Sequence, residues 1–141
     1  MTQYAESSAV LAWLLGESRG GDVAEILVSA DLVVTSELTL IEVDRALHRY
    51  VAAGVFDRRT AEQLSERLDE LTAGWGLEPV SRAVVEQARR SFPDDAIRSL
   101  DAIHLATAVV VRSSIADLDV LSLDDRVRAS AVALGFRVLP D

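Results

Sequence analysis

The chain of 141 residues contains no cysteine and no lysine; all 14 of its basic residues are arginines. Without cysteine there is no disulfide framework, no thiolate zinc site and no cysteine nucleophile. Without lysine there is no P-loop lysine, no Schiff base and no lysine general base. Long hydrophobic runs are missing as well. The apolar stretch at residues 9–15 is short and lies between Glu6 and Glu17, and the one at residues 105–111 contains Thr107 and stops at Arg112. Neither suits a membrane span, and the first residues lack the basic stretch of a signal peptide. The expectation is a soluble, cytoplasmic protein that does not engage membrane.

What is present suits a folded domain. Half of the residues are hydrophobic and 26% are charged, enough apolar material for residues 1–141 to form a single domain with its own core. Against the arginines stand 23 acids, for a formal net charge of −9. So acidic a chain is unsuited to binding nucleic acid through broad phosphate neutralisation.

No internal repeat or low-complexity segment interrupts the chain. Short β-rich runs alternate with longer helical patterns. Strands are expected at residues 4–6, 32–35, 76–80, 120–122 and 136–139. Helices are expected after Ser7 or Ser8 up to Gly16, around Val23, Ile26 and Leu27, from the cap at Ser36 to about Ala53, over 58–73, after Ser81, over 100–111 and over 124–134. Such alternation predicts an α/β fold whose parallel sheet is covered by helices on both faces. Ligands in such sheets bind beyond the carboxyl ends of the strands.

Four acids fall at or near those ends. Glu6 closes the first strand, Glu42 lies in the first turns of the helix after the Val33 strand, Asp101 opens the helix after Ser99, and Asp124 follows the Val120 strand. Each also has an ordinary role open to it. Asp124 is a natural helix N-cap, Glu42 has Arg45 and Arg49 at helical spacing, and Glu6 sits beside two serines. Asp101 begins a helix apolar nearly all round, where a charge requires a cap, a partner or a metal. Were the four to meet, their mutual repulsion would be relieved by a divalent cation, and an all-oxygen set suits Mg²⁺ or Mn²⁺.

The segments that carry these acids resemble the motifs of PIN-domain ribonucleases, specifically the VapC-type toxins of toxin–antitoxin pairs. Tyr4-Ala5-Glu6-Ser7-Ser8-Ala9 is similar to the family's opening segment, and Ser36-Glu37-Leu38-Thr39-Leu40-Ile41-Glu42-Val43 to its second motif. The most specific match is Ser99-Leu100-Asp101-Ala102-Ile103-His104-Leu105-Ala106-Thr107-Ala108. Ser122-Leu123-Asp124-Asp125-Arg126, followed by Leu134-Gly135-Phe136, resembles the fourth segment. Two positions depart from the pattern: Glu6 stands where Asp is usual, and Ser122 where Thr is commoner.

The resemblance implies a PIN-like α/β/α sandwich with a mainly parallel central sheet. It implies Mg²⁺- or Mn²⁺-dependent cleavage of RNA, a homodimer, and a cognate VapB-type antitoxin that covers the active site. Glu6, Glu42, Asp101 and Asp124 would be the metal-binding, catalytic acids, with Asp119 the alternative to Asp124. Ser7 and Ser122 are candidates for orienting carboxylates or water. Arg45, Arg49, Arg98 and Arg126 are candidates for RNA contact, since the guanidinium fork suits phosphate, and Arg128 also flanks the later acids. His104, one turn after Asp101, could act as a general acid but reads more readily as a hydrogen-bonded structural residue, and His48 reads as a helix-surface one. Trp13 and Trp75 could stack on bases, although Trp13 follows the apolar spacing of its helix. Receiver- and phosphatase-like domains place a lysine near such acids and are excluded, and a dinucleotide site lacks its glycine-rich first turn. The remaining alternative is a non-catalytic PIN-like module that binds RNA or protein.

Overall fold

The computed structural model describes residues 1–141. In chain order it contains β1 (Thr2–Ala5), α1 (Ser7–Leu15), α2 (Gly20–Ser29), β2 (Leu32–Ser36), α3 (Glu37–Ala52), α4 (Arg58–Thr72), β3 (Gly76–Glu78), α5 (Arg82–Ala88), α6 (Ser99–Arg112), β4 (Leu118–Leu121), α7 (Asp125–Ala133) and β5 (Val138–Leu139). The strands form one sheet in the order β3-β2-β1-β4-β5, and every neighbouring pair is parallel.

Alternation along the strands divides the core in two. Tyr4, Val34 and Val120 point to one face, where they meet Ala102, Leu105 and Ala108 of α6 and Val127 and Ala131 of α7. Their neighbours Ala5, Val33 and Leu121 point to the other, against Ala9 and Val10 of α1, Val23 and Leu27 of α2, Val43 of α3 and Leu68 of α4. The result is the expected α/β/α sandwich. No helix is long and apolar enough to cross a membrane.

The first strand begins earlier than the sequence pattern indicates. Thr2 and Gln3 belong to it and are buried, because β1 is the central strand and both its edges are paired. Glu6 is not its last residue but the N-cap of α1: its carboxylate accepts from Ser8 N–H, a role the pattern had given to Ser7 or Ser8. At the other edge, Pro79 follows directly on β3, which ends at Glu78; proline has no N–H to offer a ladder. Helix ends follow the local signals. Ser36 caps α3 through Leu38 N–H, Ser81 caps α5, and Gly16 ends α1 with φ +65°.

The strand order sets the position of the site. From central β1 the chain moves outward to β2 and β3, then returns to the opposite side for β4 and β5. The segments leaving β1 and β4 therefore diverge, and a crevice opens between them at the carboxyl end of the sheet.

Candidate active site

Glu6 occupies that crevice. It is 3% exposed, and its backbone N–H continues the ladder to Leu121 O at 2.9 Å. Its carboxylate is held by hydroxyls: Ser7 Oγ donates to Oε1 at 2.7 Å, and Ser122 Oγ and Ser8 Oγ donate to Oε2 at 2.7 and 2.5 Å. No cationic side chain pairs with it. A buried carboxylate normally requires a charge partner as well as hydrogen bonds; here three hydroxyls and one amide take that place. Ser8, for which the sequence suggests only a capping role, does more. Besides donating to Glu6, its oxygen accepts from Leu123 N–H at 2.9 Å and Asp124 N–H at 3.1 Å, tying the exit of β4 to the first turn of α1.

The other acids approach from three elements. Glu42, one turn into α3, faces α6, and its Oε1 accepts from Nε2 of His104. It forms no ion pair with Arg45 or Arg49, the partners its helical spacing had offered. Asp101, in the first turn of α6, is buried and receives Arg98 Nε on Oδ2 at 3.2 Å. Asp124 caps α7: Oδ1 accepts from Arg126 N–H at 2.9 Å and Val127 N–H at 3.1 Å, while Oδ2 lies 3.9 Å from Arg98 Nη2. Capping and site placement, alternatives in the sequence, are both met by this one carboxylate.

Glu6, Glu42, Asp101 and Asp124 line one cleft of about 170 Å³, together with Ser7, Ser8, Arg49 and Arg98. Asp119 does not reach it. It lies in β4 beside Gln3, accepts from Gln3 Nε2 and faces Arg137 Nη1 at 3.8 Å, two residues short of the strand's carboxyl end. Arg45 and Arg126 are exposed and also lie outside the cleft. Helix geometry explains Arg45: at about 100° per residue, position i+7 returns to the side of Glu42, whereas i+3 falls about 60° away. Arg128 is structural, donating to the carbonyls of Ser122, Leu139 and Pro140. Trp13 and Trp75 stack on each other at 6.0 Å, with an interplanar angle of 11°. His48 is exposed, on a separate hollow of about 610 Å³ between α3 and α4 that none of the four acids lines.

The donors are all hard oxygens, the type Mg²⁺ and Mn²⁺ select. They share a cleft without three of them converging on one point: Glu6 is held by serines, Glu42 by His104, and Asp101 and Asp124 both face Arg98. Mg²⁺ keeps several waters and is commonly held by one or two carboxylates, so the donor set fits such an ion without all four meeting. Tyr4, two residues before Glu6, has its phenol pushed well above its ordinary range, first by burial and then by the negative charge of Glu6.

The PIN domain family matches residues 4–134. Ribonuclease VapC35 of Mycobacterium tuberculosis is 31% identical over 139 residues, covering 96% of this chain and 94% of its own. Among solved structures, Mycobacterium tuberculosis VapC20, described as a sarcin-ricin loop cleaving toxin, superposes with a TM-score of 0.64 at 20% identity over 95% of both chains. A toxin–antitoxin complex from Klebsiella pneumoniae superposes with a TM-score of 0.65 at 17% identity, covering 99% of this chain and 97% of the matched one. The matched span includes all four acid-bearing segments, and the chain belongs to the PIN-domain family, among the VapC-type ribonucleases.

Proposed function

We propose that the chain is a metal-dependent endoribonuclease toxin, a single PIN domain acting in the cytoplasm as a homodimer and silenced by a cognate VapB-type antitoxin. One observation carries the reading: four carboxylates, drawn from segments up to 118 residues apart in sequence, line one cleft where β1 and β4 diverge. The likeness to a ribonuclease of 31% identity and to a toxin–antitoxin complex supports the substrate class and the kind of partner.

Glu6, Glu42, Asp101 and Asp124 would hold Mg²⁺ or Mn²⁺. When bound, such an ion supplies acidified water and offsets charge on the phosphate in transition. The chain's own contributions are distinct. Ser7, Ser8 and Ser122 fix the Glu6 carboxylate so that it does not reorganise on binding. Arg98 and Arg49, the two arginines in the cleft wall, offer guanidinium groups to the RNA backbone. Arg98 is 60% exposed on its side chain, free to leave the acids for a phosphate.

The test incubates purified protein with total RNA in Mn²⁺ or Mg²⁺ and in EDTA, beside Asp101→Ala. Metal-dependent cleavage by the wild type alone is expected. Equal cleavage by both proteins marks a contaminant and overturns the reading. Absence of cleavage with either metal favours the non-catalytic RNA- or protein-binding module.

A further inference from the structure

His104 is 1% exposed and both its ring nitrogens are engaged. Nε2 meets Glu42 Oε1, and Nδ1 lies 2.8 Å from the hydroxyl of Tyr4. A carboxylate only accepts, so Nε2 carries the hydrogen and donates. Nδ1 then accepts from the Tyr4 hydroxyl. The phenol stands edge-on to the imidazole, at a centroid distance of 6.1 Å and an interplanar angle of 67°. His104 does not line the cleft and has no nitrogen left for substrate, which removes it as a general acid.

The chain of contacts joins three acid-bearing segments. Tyr4 lies two residues before Glu6, His104 one helical turn after Asp101, and Glu42 on α3. We propose that His104 is a positioning residue: held in one tautomer by Tyr4, it fixes the Glu42 carboxylate at the cleft, a role resting on the reading of Glu42 as a metal-binding acid. Glu42 is otherwise a long, flexible side chain, 24% exposed, on a helix with Arg45 and Arg49 nearby. An imidazole that donates to a ligating carboxylate sets its orientation, and loss of such a partner commonly weakens metal affinity by about 10- to 100-fold.

The test measures Mn²⁺ affinity of the full chain by electron paramagnetic resonance of free Mn²⁺, with the melting temperature recorded in EDTA. His104→Leu keeps the volume but removes the donor, and at least a tenfold loss of affinity is expected. His104→Gln returns an amide N–H to the place of Nε2 and restores most of it. In a Glu42→Ala background, His104→Leu causes no further loss. A residue that only fills the core lowers stability in both backgrounds and is not rescued by glutamine. Wild-type Mn²⁺ binding by His104→Leu overturns the proposal, as does equal loss in the leucine and glutamine variants, or equal loss with and without Glu42. Wild-type binding by Glu42→Ala instead overturns the underlying reading of the cleft. If leucine at 104 prevents folding, Tyr4→Phe carries the test: a smaller loss of Mn²⁺ affinity is expected, and unchanged affinity overturns the role of the pair.

Discussion

Ser122 donates its hydroxyl hydrogen to Glu6 Oε2 at 2.7 Å, joining the carboxyl ends of β4 and β1 where the two strands part. The same oxygen accepts from Asp124 N–H at 3.2 Å, so one buried hydroxyl sets both the first and the fourth acid. Ser122→Ala removes a hydrogen bond to a charged group and is expected to lower stability by about 1.5–3 kcal/mol. Urea denaturation in EDTA measures this, and a change of under about 0.5 kcal/mol, the scatter of neutral surface substitutions, sinks the assignment.

Under the proposed function, Glu6 serves a ligand rather than stability. It is buried without a cationic partner, and a buried charge compensated only by three hydroxyls and one amide is a weak source of stability. Glu6→Gln, which keeps the shape and removes the charge, is expected to melt in EDTA at the wild-type temperature or above. It should lose the rise in melting temperature expected of the wild type in millimolar Mn²⁺ through binding to the folded state. An equal Mn²⁺-induced rise in both proteins removes Glu6 from the metal site.

Much of this arrangement could be read from sequence because its signals are local. Ser36, Ser81 and Asp124 announce helix starts, Gly16 and Gly135 announce ends, and the acids follow apolar strands at fixed offsets. What stayed hidden depends on distant pairing. Gln3 looks polar for a strand, yet central position buries it against Asp119. Ser8 reaches further than Ser7 because its oxygen also meets Leu123 and Asp124 N–H, more than a hundred residues away. The Tyr4–His104 contact spans 100 positions, and no spacing within either segment foretells it. Asp119 matched the composition of a ligand, but its place within β4 rather than beyond it keeps it from the cleft.

Two arginines near the site separate structure from function. Arg128 binds three backbone carbonyls at 2.8–3.2 Å and closes the β4 exit against the last residues of the chain. Arg128→Ala is expected to destabilise by about 2–3 kcal/mol, since buried acceptors lose their donors. Arg98 is mostly exposed, and its pairs with Asp101 and Asp124 contribute under about 1 kcal/mol. Arg98→Ala should therefore melt within a few degrees of the wild type. It should bind Mn²⁺ more tightly, because a competing positive charge has gone, and bind single-stranded RNA more weakly. Thermal melts and a filter-binding titration measure these effects; wild-type RNA affinity in Arg98→Ala removes this arginine from the substrate path.

The absence of lysine and cysteine makes the alkaline limb of stability unusually simple: Tyr4 and Tyr50 are the only side chains that ordinarily lose a proton between about pH 9 and 12. Tyr4 is 1% exposed, and its phenol is held well above its ordinary value of 10.0, with burial the largest cause and the charge on Glu6 next. The unfolded chain then releases this proton at a lower pH than the folded one. Below pH 10 the contribution is constant. As pH rises from 10 toward the folded value, the unfolded state binds fewer protons than the native state, and stability falls. Tyr4→Phe removes this linkage while keeping the ring in the core. The variant loses the hydrogen bond to His104 and is expected to be less stable at pH 8, yet its stability should fall less steeply from pH 10 upward. Denaturant titrations at pH 8, 10 and 11 on both proteins check the difference, and parallel slopes across that range refute the role of the buried phenol.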